Sequence, residues 1–244
     1  MTYCVAMRLE AGLLFASDSR TNAGVDHIAT FRKMSVFEQP GERLIVLLSA
    51  GNLATTQSVI SLLTQRLKGQ EEHLFKCPSM YDVAELVGRT VKEVVARDAD
   101  AQSLGQGVDF GGNFIVGGQI RGEAPRLFHV YAQGNFIEAC EDTPYFQIGE
   151  SKYGKPIIDR VIKPKTSLKE AAKCTLISFD STIRSNLSVG LPIDMLLYKT
   201  DSFAPADPQR ITADDPYFNK LRRGWGEGLR KTFEKLPDED WFNK

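Results

Sequence analysis

Hydrophobic residues at the start of the chain form short runs separated by glycine and proline, a pattern typical of strands. Two such runs occupy residues 2–8 and 13–18, and two more occupy 33–38 and 44–50. The last of them, Leu-Ile-Val-Leu-Leu-Ser-Ala, is apolar at almost every position, as in a strand covered on both faces. We therefore expect the chain to open with strands of buried sheets.

The spacing of apolar residues then changes to that of amphipathic helices. Asn52 is a suitable N-cap for a first helix, and Gly69 stands where a C′ glycine would end it. Ser79, three residues before Asp82, resembles a capping box that opens a second helix with a valine-rich stripe. Residues 99–112 are rich in Gly and Asp, which predicts an exposed loop.

The second half of the chain repeats this order of strands followed by helices. The predicted strands are 113–120, 126–131, 136–139, 145–148 and 192–199, the predicted helices are 150–163 and 167–184, and the tail has an amphipathic stretch at 217–235. Paired helices between blocks of antiparallel strands predict an α+β fold, a four-layer αββα sandwich with a C-terminal helical extension. One domain over residues 1–200 suffices, with the extension, 201–244, packed on it or on a neighbouring subunit.

Composition excludes several classes of function. The 30 basic and 31 acidic residues leave a net charge of −1, so no strong field would attract nucleic acid or an anionic membrane. The 4 cysteines and 3 histidines lack metal-ligand spacing, and no phosphate-binding glycine motif follows a strand. No apolar run approaches the ~20 residues of a membrane helix, and no signal segment is recognisable. We expect a cytoplasmic protein with no cofactor, metal, nucleic-acid partner or membrane partner.

Thr2 is the first candidate for chemistry. Met1 before a small residue is expected to be removed, which would place an α-amine and a hydroxyl on adjacent carbons of Thr2. Such an amine has an ordinary pKa of roughly 7.7–8.0. It can accept the hydroxyl proton near neutral pH, so that one residue supplies both nucleophile and base. Many chains begin Met-Thr, however, and an arbitrary start explains the same two residues.

Two further positions fit a nucleophile at residue 2. If the first two strands form a hairpin, Asp18 lies level with Thr2, and a neighbouring Lys33 would favour the alkoxide while Asp18 keeps the lysine charged. Gly51 lies between a buried strand and a helix N-terminus, where its N–H would be a good oxyanion donor. A surface ion pair and an ordinary turn glycine are the respective alternatives.

Taken together, these segments resemble a known family. Thr2, Asp18-Ser-Arg20, Lys33 and Ser49-Ala-Gly51, followed by Ala54-Thr-Thr-Gln57, are similar in order and placement to motifs of catalytic proteasome β-subunits and of simpler bacterial proteasome-type proteases. These belong to the N-terminal nucleophile (Ntn) hydrolases. The start without a propeptide and the C-terminal extension most resemble the bacterial proteasome-related family called Anbu. The resemblance covers about residues 2–200.

The resemblance implies a role for each residue of the motifs. Thr2 would be the nucleophile and its amine the base, Asp18 and Lys33 would tune it, and the Gly51 N–H would face the oxyanion. Arg20 would support the wall of the site.

Two supporting positions depart from the family pattern, and a third is retained. Glu150 stands where proteasomes have a serine that helps to hold the terminal amine, and Ser185 replaces an aspartate of a second supporting pair in which Ser188 survives. Altered support commonly loosens a site, so these departures bear on peptidase rate and substrate class. Leu53 would help to line the pocket for the residue before the scissile bond.

The implied function is a threonine peptidase that hydrolyses peptide or protein substrates through a Thr2 acyl-enzyme. Two alternatives stay open: a self-assembling subunit with little peptidase activity, and an Ntn amidase acting on a small amide. The resemblance also implies self-association into a ring or spiral homo-oligomer. Neither the number of subunits nor a regulatory ATPase follows from the sequence.

Overall fold

The computed structural model describes residues 2–22, 28–100 and 109–239 of the chain. Its strands and helices alternate in blocks, as the apolar spacing predicts. In chain order they are β1 (Tyr3–Leu9), β2 (Gly12–Asp18), β3 (Arg20–Asn22), β4 (Ile28–Thr30), β5 (Met34–Gln39), β6 (Arg43–Gly51), α1 (Leu53–Arg66), α2 (Met80–Asp100), β7 (Gly112–Ile120), β8 (Arg126–Val130), β9 (Phe136–Glu138), β10 (Tyr145–Gly149), α3 (Lys155–Val161), α4 (Leu168–Ser185), β11 (Ile193–Lys199), β12 (Gln209–Ile211) and α5 (Pro216–Phe233).

Two five-stranded antiparallel sheets form the centre of the fold. One has the order β10-β1-β2-β11-β12 and the other β5-β6-β7-β8-β9, while β3 and β4 form a separate two-stranded ribbon. β1 and β2 pair as a hairpin in which Cys4 lies opposite Ser17, so that the C-terminal end of β2 is level with the N-terminal end of β1. This register brings Asp18 beside the start of the chain.

Three apolar layers hold the sheets and helices together. One lies between the two sheets, where Cys4 and Phe15 meet Leu48 and Ile115. The outer layers cover the other faces: α1 and α2 pack on the β5–β9 sheet, and α3, α4 and α5 pack on the sheet that contains β1. Since each sheet is covered on both faces, its central strands are apolar throughout. The predicted four-layer αββα arrangement is confirmed.

Two predicted helix boundaries are wrong. The first helix ends at a C-cap at Leu67, and Gly69 does not take the left-handed conformation of a C′ glycine; the N–H groups of Lys68 and Gly69 instead donate to carbonyls three residues back. The third helix begins at Lys155 and not at residue 150, because the preceding residues form a turn that contacts the start of β1. The Asn52 N-cap, which accepts a hydrogen bond from the Thr55 N–H, is confirmed.

The C-terminal extension contacts the rest of the chain through two elements. β12 pairs with β11 at the edge of the sheet. Phe218 of α5 is buried in the apolar layer between α4 and the sheet that contains β1. Arg222 of α5 also donates to Asp180 of α4 over 2.6 Å. No described helix is both long enough and apolar enough to cross a bilayer.

Candidate active site

A buried ion pair lies at the end of β2, beside the start of β1. Lys33 Nζ donates to Asp18 Oδ1 over 2.6 Å and also to the main-chain carbonyl of Arg20 over 2.6 Å. Lys33 belongs to the segment just before β5, in the other sheet, so the pair joins the two sheets at one end of the sandwich. The structure therefore brings together the two charged residues that the sequence singles out, and it buries both of them.

The Asp18 carboxylate is held by donors from three separate segments. Besides the Lys33 ammonium, the Tyr3 N–H donates to Oδ1 over 3.0 Å and the Gly190 N–H donates to Oδ2 over 3.3 Å. Burial raises the pKa of the Asp18 carboxyl, and the Lys33 charge and the two N–H donors oppose that rise. Because the charged form receives every one of these contacts, the site orients an Asp18–Lys33 pair and prevents either group from rotating freely.

Thr2 lies directly before β1 and is held by a turn after β10. The Glu150 N–H donates to the Thr2 carbonyl over 2.7 Å. Gly149, at φ +81°, approaches so closely that a Cβ there would lie 1.9 Å from the Thr2 carbonyl oxygen. Only glycine allows this approach in that conformation. Thr2 itself is buried, with 9% of its surface exposed.

Arg20 contributes to the site through both its main chain and its side chain. Its carbonyl accepts from Lys33, while its guanidinium donates to the Leu187 carbonyl over 3.0 Å. The guanidinium also lies against Gly190, where a Cβ would come within 2.3 Å of it. Arg20 thus connects the loop after α4 to the end of β2.

Gly51 and Leu53 lie where β6 leads into α1. Gly51 is the last residue of β6, at φ +114°, and a Cβ there would lie 2.4 Å from the Gly111 carbonyl. Two residues earlier, the Ser49 N–H donates to the Lys33 carbonyl over 2.9 Å, so this end of β6 adjoins the ion pair. Leu53 is the first residue of α1 and is half-buried.

The predicted supporting residues after α4 differ in their surroundings. Ser185 is the exposed last residue of α4, and its side chain makes no hydrogen bond to any described residue. Ser188 is half-buried, and its N–H donates to Asn186 Oδ1 over 2.8 Å. It lies two residues before Gly190, which does contact Asp18. The Glu150 side chain is largely buried, with 14% of its surface exposed.

Sequence reasoning missed three residues that hold the site through the main chain. The N–H groups of Tyr3 and Gly190 bind Asp18, and Gly149 allows the close approach to Thr2. Both glycines lie next to positions that the family resemblance singles out, Gly149 directly before Glu150 and Gly190 two residues after Ser188, whereas nothing in the sequence pointed to the Tyr3 N–H. Among the described residues, no group of His, Cys, Asp and Glu side chains is placed to hold a metal ion.

Comparisons with known proteins agree with this geometry. The family model described as "Proteasome subunit" matches residues 2–195. The solved structure of Anbu (ancestral beta-subunit) from Yersinia bercovieri is 61% identical, with 98% of this chain and 99% of that chain covered and a TM-score of 0.92. A structure described as the helical assembly of the Anbu complex from Pseudomonas aeruginosa is 55% identical, with 98% of each chain covered and a TM-score of 0.94.

A third solved structure is the Anbu (Gly-1) mutant from Hyphomicrobium sp. strain MC1. It is 54% identical, with 98% of this chain and 100% of that chain covered and a TM-score of 0.91. No curated protein matches the chain. The resemblance predicted from the sequence motifs is confirmed.

Proposed function

Because this chain belongs to the proteasome subunit family of Ntn hydrolases and, within it, to the Anbu proteins, we propose that it is an N-terminal threonine peptidase. Thr2 is its nucleophile and peptides or proteins are its substrates. The observation that carries the proposal is the buried Lys33–Asp18 pair, which is hydrogen-bonded to the Tyr3 N–H and so lies one residue from Thr2. The 4 free cysteines fit the reducing cytoplasm, where we place the protein.

Acylation begins once Met1, which lies outside the described residues, has been removed. The free α-amine of Thr2 takes the proton of the Thr2 hydroxyl, and Oγ attacks the carbonyl carbon of the scissile peptide bond. The positive charge of Lys33 lowers the energy of the developing alkoxide, and Asp18 keeps that charge in place. The protonated amine then delivers its proton to the leaving nitrogen, which departs as the new amine of the second product.

In deacylation the Thr2 amine again acts first as a base and then as an acid, with water as the attacking group and the Thr2 oxygen as the leaving group. The α-amine of Thr2 takes a proton from water, and the resulting hydroxide attacks the ester carbonyl. The Thr2 oxygen leaves, recovers its proton from the ammonium, and the first product is released as a carboxylic acid. One water is consumed for each peptide bond cleaved, and neither a metal nor a cofactor enters the balance.

The Gly51 N–H is the oxyanion donor in this scheme. N–H groups alternate sides along an antiparallel strand. Since the Ser49 N–H points to the Lys33 carbonyl, the Gly51 N–H is directed to the same side of β6, toward the ion pair. Asn52, next along the chain, donates to the Gly111 carbonyl on the opposite side, in agreement with this alternation.

The deciding experiment is intact-mass analysis before and after reaction with a peptide epoxyketone, which captures the hydroxyl and the amine of a terminal threonine together. We expect a chain without Met1 that gains one adduct, and no adduct in Thr2→Ala. The matched control is Thr55→Ala, which removes a buried threonine hydroxyl in α1 and is expected to keep the adduct. Retention of Met1, or a processed wild-type chain without an adduct, would refute the peptidase.

A second candidate function is a self-assembling subunit with little peptidase activity. It is favoured by the exposed position of Ser185, which leaves one supporting position of the family without a contact to the site. An Ntn amidase that acts on small amides is the third possibility. A panel of fluorogenic peptides and small amides separates the three: turnover of peptides, of amides only, or of neither.

Self-association accompanies all three candidates, and we propose that the outer part of α5 forms part of the contact between copies. Trp225, Leu229 and Phe233 follow one another at four-residue spacing along one side of α5, and Leu236 follows shortly after the end of the helix. Leu229, Phe233 and Leu236 are 52%, 76% and 60% exposed within one chain. Burying such a stripe against a second copy would be favourable. The helical assembly described for the Pseudomonas protein, whose match covers 98% of this chain, supports a spiral over a closed ring.

A further inference from the structure

The phenol of Tyr3 lies in a directed chain of hydrogen bonds beside Thr2. Gln147 Nε2 donates to Tyr3 Oη over 2.6 Å, and Tyr3 Oη lies 3.1 Å from Ser178 Oγ. Ser178 Oγ donates its own hydrogen to the Thr175 carbonyl over 2.7 Å. Because that hydrogen is engaged, the Tyr3 hydroxyl is the donor to Ser178, and each hydroxyl in the chain both donates and accepts once.

Packing leaves the Tyr3 side chain little freedom to move. The residue is fully buried, and its ring centroid lies 4.6 Å from that of Phe179, with the planes tilted by 52°. Gly154 provides the space for the hydroxyl, because a Cβ at that position would lie 2.3 Å from Tyr3 Oη. Burial also raises the pKa of the Tyr3 phenol, which keeps its proton at neutral pH. The side chain is therefore fixed from β10, α4 and the turn before α3.

The main chain of Tyr3 connects this anchored side chain to the site. Its N–H donates to Asp18 Oδ1 over 3.0 Å, and the carbonyl in the same peptide unit, that of Thr2, accepts from the Glu150 N–H over 2.7 Å. Since a peptide unit is planar, fixing the Tyr3 side chain and these two hydrogen bonds fixes the Cα position of Thr2. A shift of Tyr3 would move Thr2 relative to Asp18.

We propose that Tyr3 is a positioning residue, whose hydroxyl, through Gln147 and Ser178, sets the placement of Thr2 beside the Asp18–Lys33 pair. The inference rests on the proposed role of Thr2 as nucleophile. A positioning role predicts a slower chemical step with unchanged inhibitor binding, because the hydroxyl is fully buried between β10 and α4 and offers no surface for an inhibitor to contact. Misplacement of a reacting atom costs rate without loss of binding surface.

The test is the rate of epoxyketone adduct formation as a function of inhibitor concentration, measured on the full chain after mass confirmation that Met1 is absent. Tyr3→Phe keeps the ring and its contact with Phe179 but removes the hydroxyl. We expect the limiting rate to fall roughly ten- to a hundredfold, with an unchanged half-saturating concentration. The matched control is Tyr145→Phe on the neighbouring strand, which loses hydrogen bonds to Asp159 and Lys155 and should keep the wild-type limiting rate.

Ser178→Ala, a change in α4, removes the hydroxyl that accepts from Tyr3 and leaves Tyr3 itself unchanged. It should lower the limiting rate in the same way, and the double variant with Tyr3→Phe should be no slower than Tyr3→Phe alone, because both changes break one chain. Circular dichroism confirms folding of each variant, and Ser178→Ala decides if Tyr3→Phe does not fold. Wild-type limiting rates in the folded variants would overturn the positioning role of Tyr3 but not the proposed function. A processed wild-type chain that forms no adduct would overturn the proposed function and the inference with it.

Discussion

Lys33 Nζ lies 2.6 Å from Asp18 Oδ1, and the two side chains are only 5% and 0% exposed. Removing one charge of a buried pair leaves the other without compensation, which costs more than the pair itself contributes. We expect Asp18→Asn to lower the free energy of unfolding by about 3–5 kcal/mol, measured by urea denaturation, and to abolish adduct formation.

The exposed Lys155–Asp159 pair provides the matched control for this variant. Its atoms lie 2.8 Å apart, but its side chains are 55% and 46% exposed. Asp159→Asn should therefore cost less than about 1 kcal/mol and leave the adduct unchanged. Equal losses of stability in the two variants would contradict the compensation argument.

The contact of Gly149 with Thr2 predicts an effect on activity that backbone strain alone cannot produce. Gly149→Ala places a Cβ at φ +81° and against the Thr2 carbonyl, so the turn must move and take Thr2 with it. Gly122 has φ +94° with nothing within 4 Å of its Cβ position, so Gly122→Ala tests the conformational cost alone. That cost is about 1–2 kcal/mol.

Urea denaturation and the rate of adduct formation distinguish the two glycine variants. We expect Gly149→Ala to lose more stability than Gly122→Ala and to react at least about a hundredfold more slowly, while Gly122→Ala reacts at the wild-type rate. A Gly149→Ala variant that reacts normally would show that the turn does not determine the position of Thr2.

The layered fold could be predicted because the spacing of apolar residues within each segment indicates whether that segment is a strand or a helix. The hairpin of β1 and β2 also places Asp18 level with the start of the chain, since its register follows from two adjacent strands. The short strands β3, β4 and β12 were missed because three residues are too few to show a hydrophobic period. The end of the first helix was predicted too late because Gly69 is a typical C′ residue, whereas the helix ends at a C-cap at Leu67.

The rest of the site could not be predicted because it depends on main-chain groups that are distant in sequence. The Gly190 N–H reaches Asp18 across 172 positions, and no side-chain pattern identifies which N–H will do so. The sequence singles out Glu150 for its side chain, whereas its contact with Thr2 is made by its main-chain N–H. Ser185, selected by alignment to a family motif, is exposed at the end of α4.

Cys140 should react with iodoacetamide faster than Cys77 and Cys174. Cys140 is exposed, whereas burial raises the pKa of Cys77 and of Cys174 to about 11. Because the thiolate is the nucleophile, these two thiols should stay largely unlabelled at pH 7.5 while Cys140 is modified. Their labelling should increase about tenfold per pH unit until the pH approaches their pKa, as peptide mass spectrometry can measure. Rapid labelling of Cys174 at pH 7.5 would show that α3 and α4 open readily.

The apolar stripe of α5 predicts the dependence of assembly on single residues. Phe233 is 76% exposed within one chain, so Phe233→Ser removes little from the fold of the protomer but would remove apolar contact area between copies. We expect a smaller particle in light scattering, with unchanged circular dichroism. Ile137→Ser, at a side chain 46% exposed on β9, is the control and should keep the wild-type particle size. If Phe233→Ser assembles like the wild type, the contact between copies lies elsewhere on the surface.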